Sequence, residues 1–207
     1  MLFEVREGPL AGSRQIQRAK EFFEDPKYSV LRCVGFDNKL SDIATPGEFA
    51  TFLEAYDTRI LALRRRNVVK QVISSLNAIR SRDLTGKYHA YDPGEIVHEP
   101  FEIEPDRFDA HLERLLQRDE AMDRWVTSRG WKHLQIYYED LVGDRGETVR
   151  EIASFLDTPY EEIDLDPPGK PLKQSPKDLR NLVLNLEMLR ERYRGTRFEA
   201  MLMDRIN

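Results

Sequence analysis

One segment limits what this chain can fold into more than any other: Ile60-Leu-Ala-Leu-Arg-Arg-Arg-Asn-Val-Val-Lys-Gln-Val-Ile-Ser-Ser75. Its opening, Arg59 to Leu63, is a short and nearly all-apolar run, as expected of a strand buried on both faces. From Val68 to Ile79, Val69, Val72, Ile73, Leu76 and Ile79 recur at helical spacing and predict a helix with those side chains inward. Arg64, Arg65 and Arg66 fall between, so the order is strand, basic turn, helix. Guanidinium forks match the oxygens of phosphate or sulfate, and a helix N-terminus adds unbonded N–H groups and a favourable dipole. The same turn could instead pair with neighbouring carboxylates. Ser74 lies eight residues after Arg66, about two turns into the helix, where it can face the turn or bond back to a carbonyl of its own helix.

Around this unit the pattern alternates. Ser13 to Glu24 reads as a helix stopped by Asp25-Pro26, and Tyr28 to Phe36 as a strand with Cys33 at a buried position. Thr45-Pro46-Gly47-Glu48 predicts a capped helix start running to about Tyr56. Ser81 to Pro105 loses periodicity and reads as a long loop, of the kind that carries function. Asp106 to Ser128 is a long amphipathic helix, His133 to Tyr138 a third strand, and Glu147 to Leu156 a further helix. Beyond a proline-rich connector, Lys177 to Arg192 predicts a last helix. Strands separated by amphipathic helices imply an α/β domain with a parallel sheet, with ligands held beyond the carboxyl ends of the strands. We expect one domain over 1–207.

Composition removes several classes of function. A net charge of −5 spread over 207 residues argues against a nucleic-acid or membrane-surface protein, so any anion site is a local basic cluster. No apolar run reaches the roughly 18 residues of a membrane span, and Met1 to Gly12 lacks the pattern of a secretory signal, which places the expectation in the cytoplasm. The single cysteine cannot form an internal disulfide. No cluster has metal-ligand spacing, and Gly-x-Gly-x-x-Gly, Gly-x-Ser-x-Gly and Walker-type motifs are absent, so we expect no metal.

The spacing R-(x)7-S, met here by Arg66 and Ser74 within Arg65-Arg66-Asn67-Val68-Val69-Lys70-Gln71, resembles that of the sulfotransferases dependent on 3′-phosphoadenosine 5′-phosphosulfate (PAPS), in particular the bacterial carbohydrate and sulfolipid-type branch. Further segments are similar in the same order. Val34-Gly-Phe36 resembles the strand before the motif helix, although Asp37 stands where a lysine is usual. Thr85-Gly-Lys-Tyr-His89 is similar to a T-G-x-W-H segment, with Tyr88 in place of Trp. Tyr137-Tyr-Glu-Asp-Leu-Val142 resembles a Y-E-D-L strand end, and Lys173-Gln174-Ser175 a K-Q-S loop that closes over the nucleotide. The similarity runs from Val30 to Arg197.

That resemblance implies a P-loop-NTPase-like, three-layer fold with a parallel sheet flanked by helices. It implies PAPS as co-substrate, a hydroxyl-bearing acceptor such as a carbohydrate, and adenosine 3′,5′-bisphosphate as product. The 3′-phosphate would be held by Arg66 and Ser74, with Arg65, Lys173 and Gln174 assisting. His89 becomes a candidate acceptor-pocket residue, and Glu4 the nearest carboxylate to the family's general base. Glu139 and Asp140 read as structural. The family's R-S-G-T-T-L loop, which cradles the 5′-phosphosulfate, and the strand before it are not found in this sequence. The alternative is a catalytically inactive relative that keeps part of the nucleotide site as a binding or interaction protein.

Overall fold

A computed structural model describes residues 11–97, 99–160 and 178–203. The chain is α/β and mostly helical, and its described residues fall into two compact units, one of 11–64 with 118–160, the other of 65–117 with 178–203.

In the first unit, α1 (Ala11–Phe23) stops at Asp25-Pro26 as expected, and the Asp25 carboxylate accepts the Lys27 N–H at 3.0 Å. Gln15 of α1 is buried and clamps a distant loop, donating to the Asp42 carbonyl at 2.9 Å and accepting from the Ala44 N–H at 3.1 Å. Helix α2 (Pro46–Glu54) begins with Pro at its first turn, but Thr45 makes no capping bond. Its side chain is turned onto Gly12, where an added Cβ would lie 2.4 Å from Thr45 Oγ1, so only glycine fits there. Phe49 and Leu53 of α2 pack with Ala19 and Ile43, and Phe23, Phe36, Phe52, Trp125 and Trp131 surround them.

The strand expected over Tyr28 to Phe36 does not form: Pro26–Tyr28 is a 3-10 turn, and residues 29–36 are turn and irregular chain. Val30 is 86% exposed and Cys33 is also exposed, against the buried position expected for it. An apolar, β-branched run becomes a strand only when a neighbouring strand supplies its ladder, and this one pairs with none among the described residues. The two strands present among the described residues are β1 (Arg59–Arg64) and β2 (Lys132–Tyr137), paired in parallel with Leu61 beside Leu134 and Leu63 beside Ile136. Burial of β1 on both faces is also corrected, since Leu61 and Leu63 are 39% and 61% exposed. After β2 come α5 (Tyr138–Gly143) and α6 (Arg145–Phe155), the latter capped by the Asp144 carboxylate on the Glu147 N–H at 3.0 Å.

The second unit is built on α3 (Val68–Thr85), which runs past the expected end at Ile79 to Gly86, whose φ of +78° closes the helix with its N–H on the Arg82 carbonyl at 2.7 Å. Gly suits that left-handed position because it has no Cβ to clash. Helix α4 (Pro105–Thr127) contributes its N-terminal half, capped by Glu104, which accepts N–H bonds from Asp106 at 3.0 Å and Arg107 at 2.6 Å. Helices α7 (Leu186–Arg192) and α8 (Arg197–Met203) complete the unit. Val69, Val72 and Ile73 of α3, Phe108 of α4, Leu182 and Leu189 are all but inaccessible to solvent and form its core.

The single helix expected from Lys177 to Arg192 is corrected. Lys177 lies outside the described residues; Leu179–Asn181 is a 3-10 turn, and α7 starts only at Leu186. Between them the chain pairs with the segment before α4: Phe101 N–H donates to the Leu182 carbonyl at 2.9 Å, and Leu184 N–H to the Phe101 carbonyl at 3.0 Å. Asn185 extends this bridge with its side chain, accepting from Ile103 N–H at 3.0 Å and donating to the Ile103 carbonyl at 2.8 Å. The Leu182 carbonyl and the Leu184 N–H, both taken by Phe101, are lost to a continuous helical ladder.

Candidate functional site

The basic turn leads into the N-terminus of α3 as the sequence implies. Arg64, the last residue of β1, donates to the Asp119 carbonyl at 3.1 Å and pairs with the Asp123 carboxylate, so for this arginine the expectation of pairing with acidic neighbours holds. Burial pushes the Asp119 carboxyl above its ordinary value against the pull of Arg118 and Arg64.

Arg65 and Arg66 belong to the second unit, with Arg65 half-buried and Arg66 exposed. Asn67 fixes the helix entry: its carbonyl oxygen accepts the Lys70 N–H at 2.9 Å, and its amide donates to the Met201 carbonyl of α8 at 2.9 Å. This places one exposed and one half-buried guanidinium immediately ahead of a capped helix of 18 residues, where N–H groups and dipole favour an anion. Ser74 is half-buried on the same helix, and its hydroxyl bonds no carbonyl among the described residues, so the back-bonded alternative does not describe it.

A further feature of α3 is not anticipated by its apolar pattern. Asn67, Lys70, Ser74, Asn77 and Ser81 succeed one another at spacings of three and four along the helix, which puts them on one face. Asn67 and Lys70 are each 5% exposed, Asn77 1% and Ser81 2%. A lysine so buried is uncommon, and a line of buried polar groups on a helix that also carries apolar core residues is costly unless each is bonded. Neither the amide nitrogen nor the carbonyl oxygen of Asn77 has a hydrogen-bond partner among the described residues. The signal is present in the sequence as polar residues at helical period, but the stronger period of the apolar residues beside them masks it.

Glu4, Lys173 and Gln174 lie outside the described residues. His89 is exposed on the loop after Gly86, next to Tyr88, whose ring lies 4.9 Å from the Arg82 guanidinium. That loop is held by Glu95, whose carboxylate pairs with Lys87 and accepts the Tyr91 N–H at 2.9 Å; the Lys87 bond first, then the backbone bonds, lower its pKa to about 2. Glu139 and Asp140 occupy the first turn of α5. Among the described residues no group of three or more His, Cys, Asp or Glu is placed to hold a metal, and no helix is long and apolar enough to cross a membrane. Comparison with profiles of known families, with curated proteins and with solved structures finds no match to this chain.

Proposed function

We propose that this chain binds a 3′-phosphorylated adenine nucleotide at the N-terminus of α3 and belongs to a PAPS-dependent sulfuryl transfer system acting on a hydroxyl of a carbohydrate or lipid-linked acceptor. The observation that carries the reading is the basic turn of Arg64, Arg65 and Arg66 leading straight into α3 with Asn67 as its cap, and Ser74 eight residues after Arg66 on that helix. A phosphate dianion there would take charge-assisted bonds from guanidinium groups, the helix N-terminus and the Ser74 hydroxyl. Lys173 and Gln174, outside the described residues, are the further groups the resemblance assigns to the nucleotide. The finer fold reading, a P-loop-NTPase-like three-layer sheet, is part of the same proposal and rests on the parallel crossover from β1 through α3 and α4 to β2.

In the proposed reaction the acceptor oxygen forms a bond to sulfur as the bond from sulfur to the bridging phosphate oxygen breaks. The hydroxyl proton passes to a base, and adenosine 3′,5′-bisphosphate leaves. Glu4 is the candidate base, and His89 a candidate acceptor-pocket residue. Arg66 and Ser74 do not touch the reacting sulfur in this scheme; they hold the far phosphate, and so position the nucleotide by binding energy remote from the chemistry.

Calorimetric titration with adenosine 3′,5′-bisphosphate tests the reading. Binding is expected to fall by about tenfold or more in Arg66→Ala, in line with loss of a charge-assisted bond, and 5′-AMP is expected to bind weakly to both proteins. Equal affinity for the bisphosphate and 5′-AMP, or no effect of Arg66→Ala, would overturn it. The second reading, an inactive nucleotide-binding protein, shares this binding result and is separated by assaying sulfuryl transfer from PAPS.

A further inference from the structure

A concavity of the same unit lies toward the other end of α3. It is an open cleft of about 370 Å3 between the C-terminal half of α3, segment 99–104 and the first turn of α4. That volume is at the lower end of the range of about 300–1,000 Å3 found for small-molecule sites. Its apolar lining is Leu76, Leu84, Phe101 and Ile103; Leu84 is 62% exposed, an uncompensated apolar surface. The wall is stiff. Segment 99–104 is fixed on its far side by the Phe101 bridge and the Asn185 carboxamide, and Arg80 is held by the Glu99 carbonyl at 2.8 Å while stacking over the Phe101 ring at 5.1 Å.

The polar lining selects among ligands. Four carboxylates, Asp83, Glu99, Glu102 and Glu104, stand against two guanidinium groups, Arg80 and Arg107. Such a lining repels a phosphate or sulfate dianion, so the cleft is not an extension of the nucleotide site. Glu102 and Arg107 have no ion pair and no side-chain hydrogen bond among the described residues. One can accept from a ligand hydroxyl and the other donate to a ligand oxygen, while the leucines and Phe101 take an apolar face. A neutral ring with hydroxyls on its edge and an apolar substituent meets each of these requirements.

We infer that this cleft binds an uncharged glycoside with an apolar aglycone, not a free or phosphorylated sugar. The ligand class rests on the lining of the cleft and is independent of the nucleotide site of the proposed function.

The intact protein is titrated with p-nitrophenyl β-glucoside, glucose and glucose 6-phosphate, and in parallel with adenosine 3′,5′-bisphosphate. The aryl glycoside is expected to bind about tenfold or more tighter than either sugar, because the aglycone covers the exposed leucine. Leu84→Glu, a change at an exposed helix position, is expected to remove that preference, and Glu102→Gln to weaken the glycoside several-fold, with bisphosphate affinity unchanged in both variants. Absence of glycoside binding, equal binding of the sugar phosphate, or a glycoside affinity indifferent to Leu84→Glu overturns the inference. Glycoside binding that depends on Leu84 without any bisphosphate binding keeps the cleft as a glycoside site and rejects the nucleotide reading instead.

Discussion

Asn77 presents both a donor and an acceptor to an interior in which no described residue bonds either, at 1% exposure in the middle of α3. An unsatisfied buried polar group costs about 1–3 kcal/mol, and replacing it by an apolar group of similar shape removes that penalty. Asn77→Leu is therefore expected to stabilise the protein by about 1–3 kcal/mol, read as a higher urea midpoint at unchanged slope. A destabilised variant would mean that an internal water or another group already satisfies the carboxamide. The neighbouring Asn67 predicts the opposite sign, because its side chain both caps α3 and ties it to α8. Residue for residue, the sequence singles out Arg66 and Ser74 but not Asn67 and Asn77. Guanidinium groups announce themselves by charge, whereas the significance of an amide depends on whether a partner stands opposite it.

Among the elements, the segment from Gly86 to Ile96 is tied together at several points by one carboxylate. Glu95 pairs with Lys87, accepts N–H bonds from Tyr91 and Asp92, and completes a capping box with Asp92. Because its folded pKa is lowered to about 2, the order it confers is fully present above the ordinary glutamate value of about 4.3 and is lost as pH falls toward 2. The Tyr91 amide resonance should titrate with a midpoint near 2, and Lys87→Met should return that midpoint toward about 4. A wild-type midpoint near about 4 would show that the ion pair does not persist in solution. The sequence marks this stretch as aperiodic loop, which it largely is. The 3-10 turn at Pro93–Glu95 is not expected from it, because its Asp-Pro-Gly-Glu cap encloses a single turn, too short to show a period.

For the molecule as a whole, two separate sets of buried side chains do the stabilising. Phe49 is central to the first, together with both tryptophans of the chain, and Phe108 to the second. Truncating a buried phenylalanine costs about 3–5 kcal/mol through lost burial and the cavity left behind. Phe49→Ala should lower the midpoint followed by tryptophan fluorescence, and Phe108→Ala the midpoint followed by far-ultraviolet circular dichroism, each by a shift equivalent to that range. An unmoved fluorescence midpoint in Phe49→Ala would contradict the packing around Trp125 and Trp131. The sheet contributes less than a parallel sheet usually does: it has two strands among the described residues, with Leu61 and Leu63 facing solvent.

By itself the sequence determined the helices with strong periodicity, α1, α3, α4 and α6, the two strands β1 and β2, and the basic turn ahead of α3. Each is set by contacts within a few residues, or by a burial pattern repeated along one element. Only the tertiary structure decided that Tyr28 to Phe36 stays out of the sheet, that the chain at 182–184 leaves its helix to bridge Phe101, and that Thr45 gives up its cap to pack on Gly12. In all three, local propensity points one way and a partner remote in sequence, present or missing, settles the matter. The same holds for the cleft, whose lining comes from α3, the segment before α4 and the first turn of α4, and whose stiffness comes from Asn185, 82 residues beyond the Ile103 it clamps.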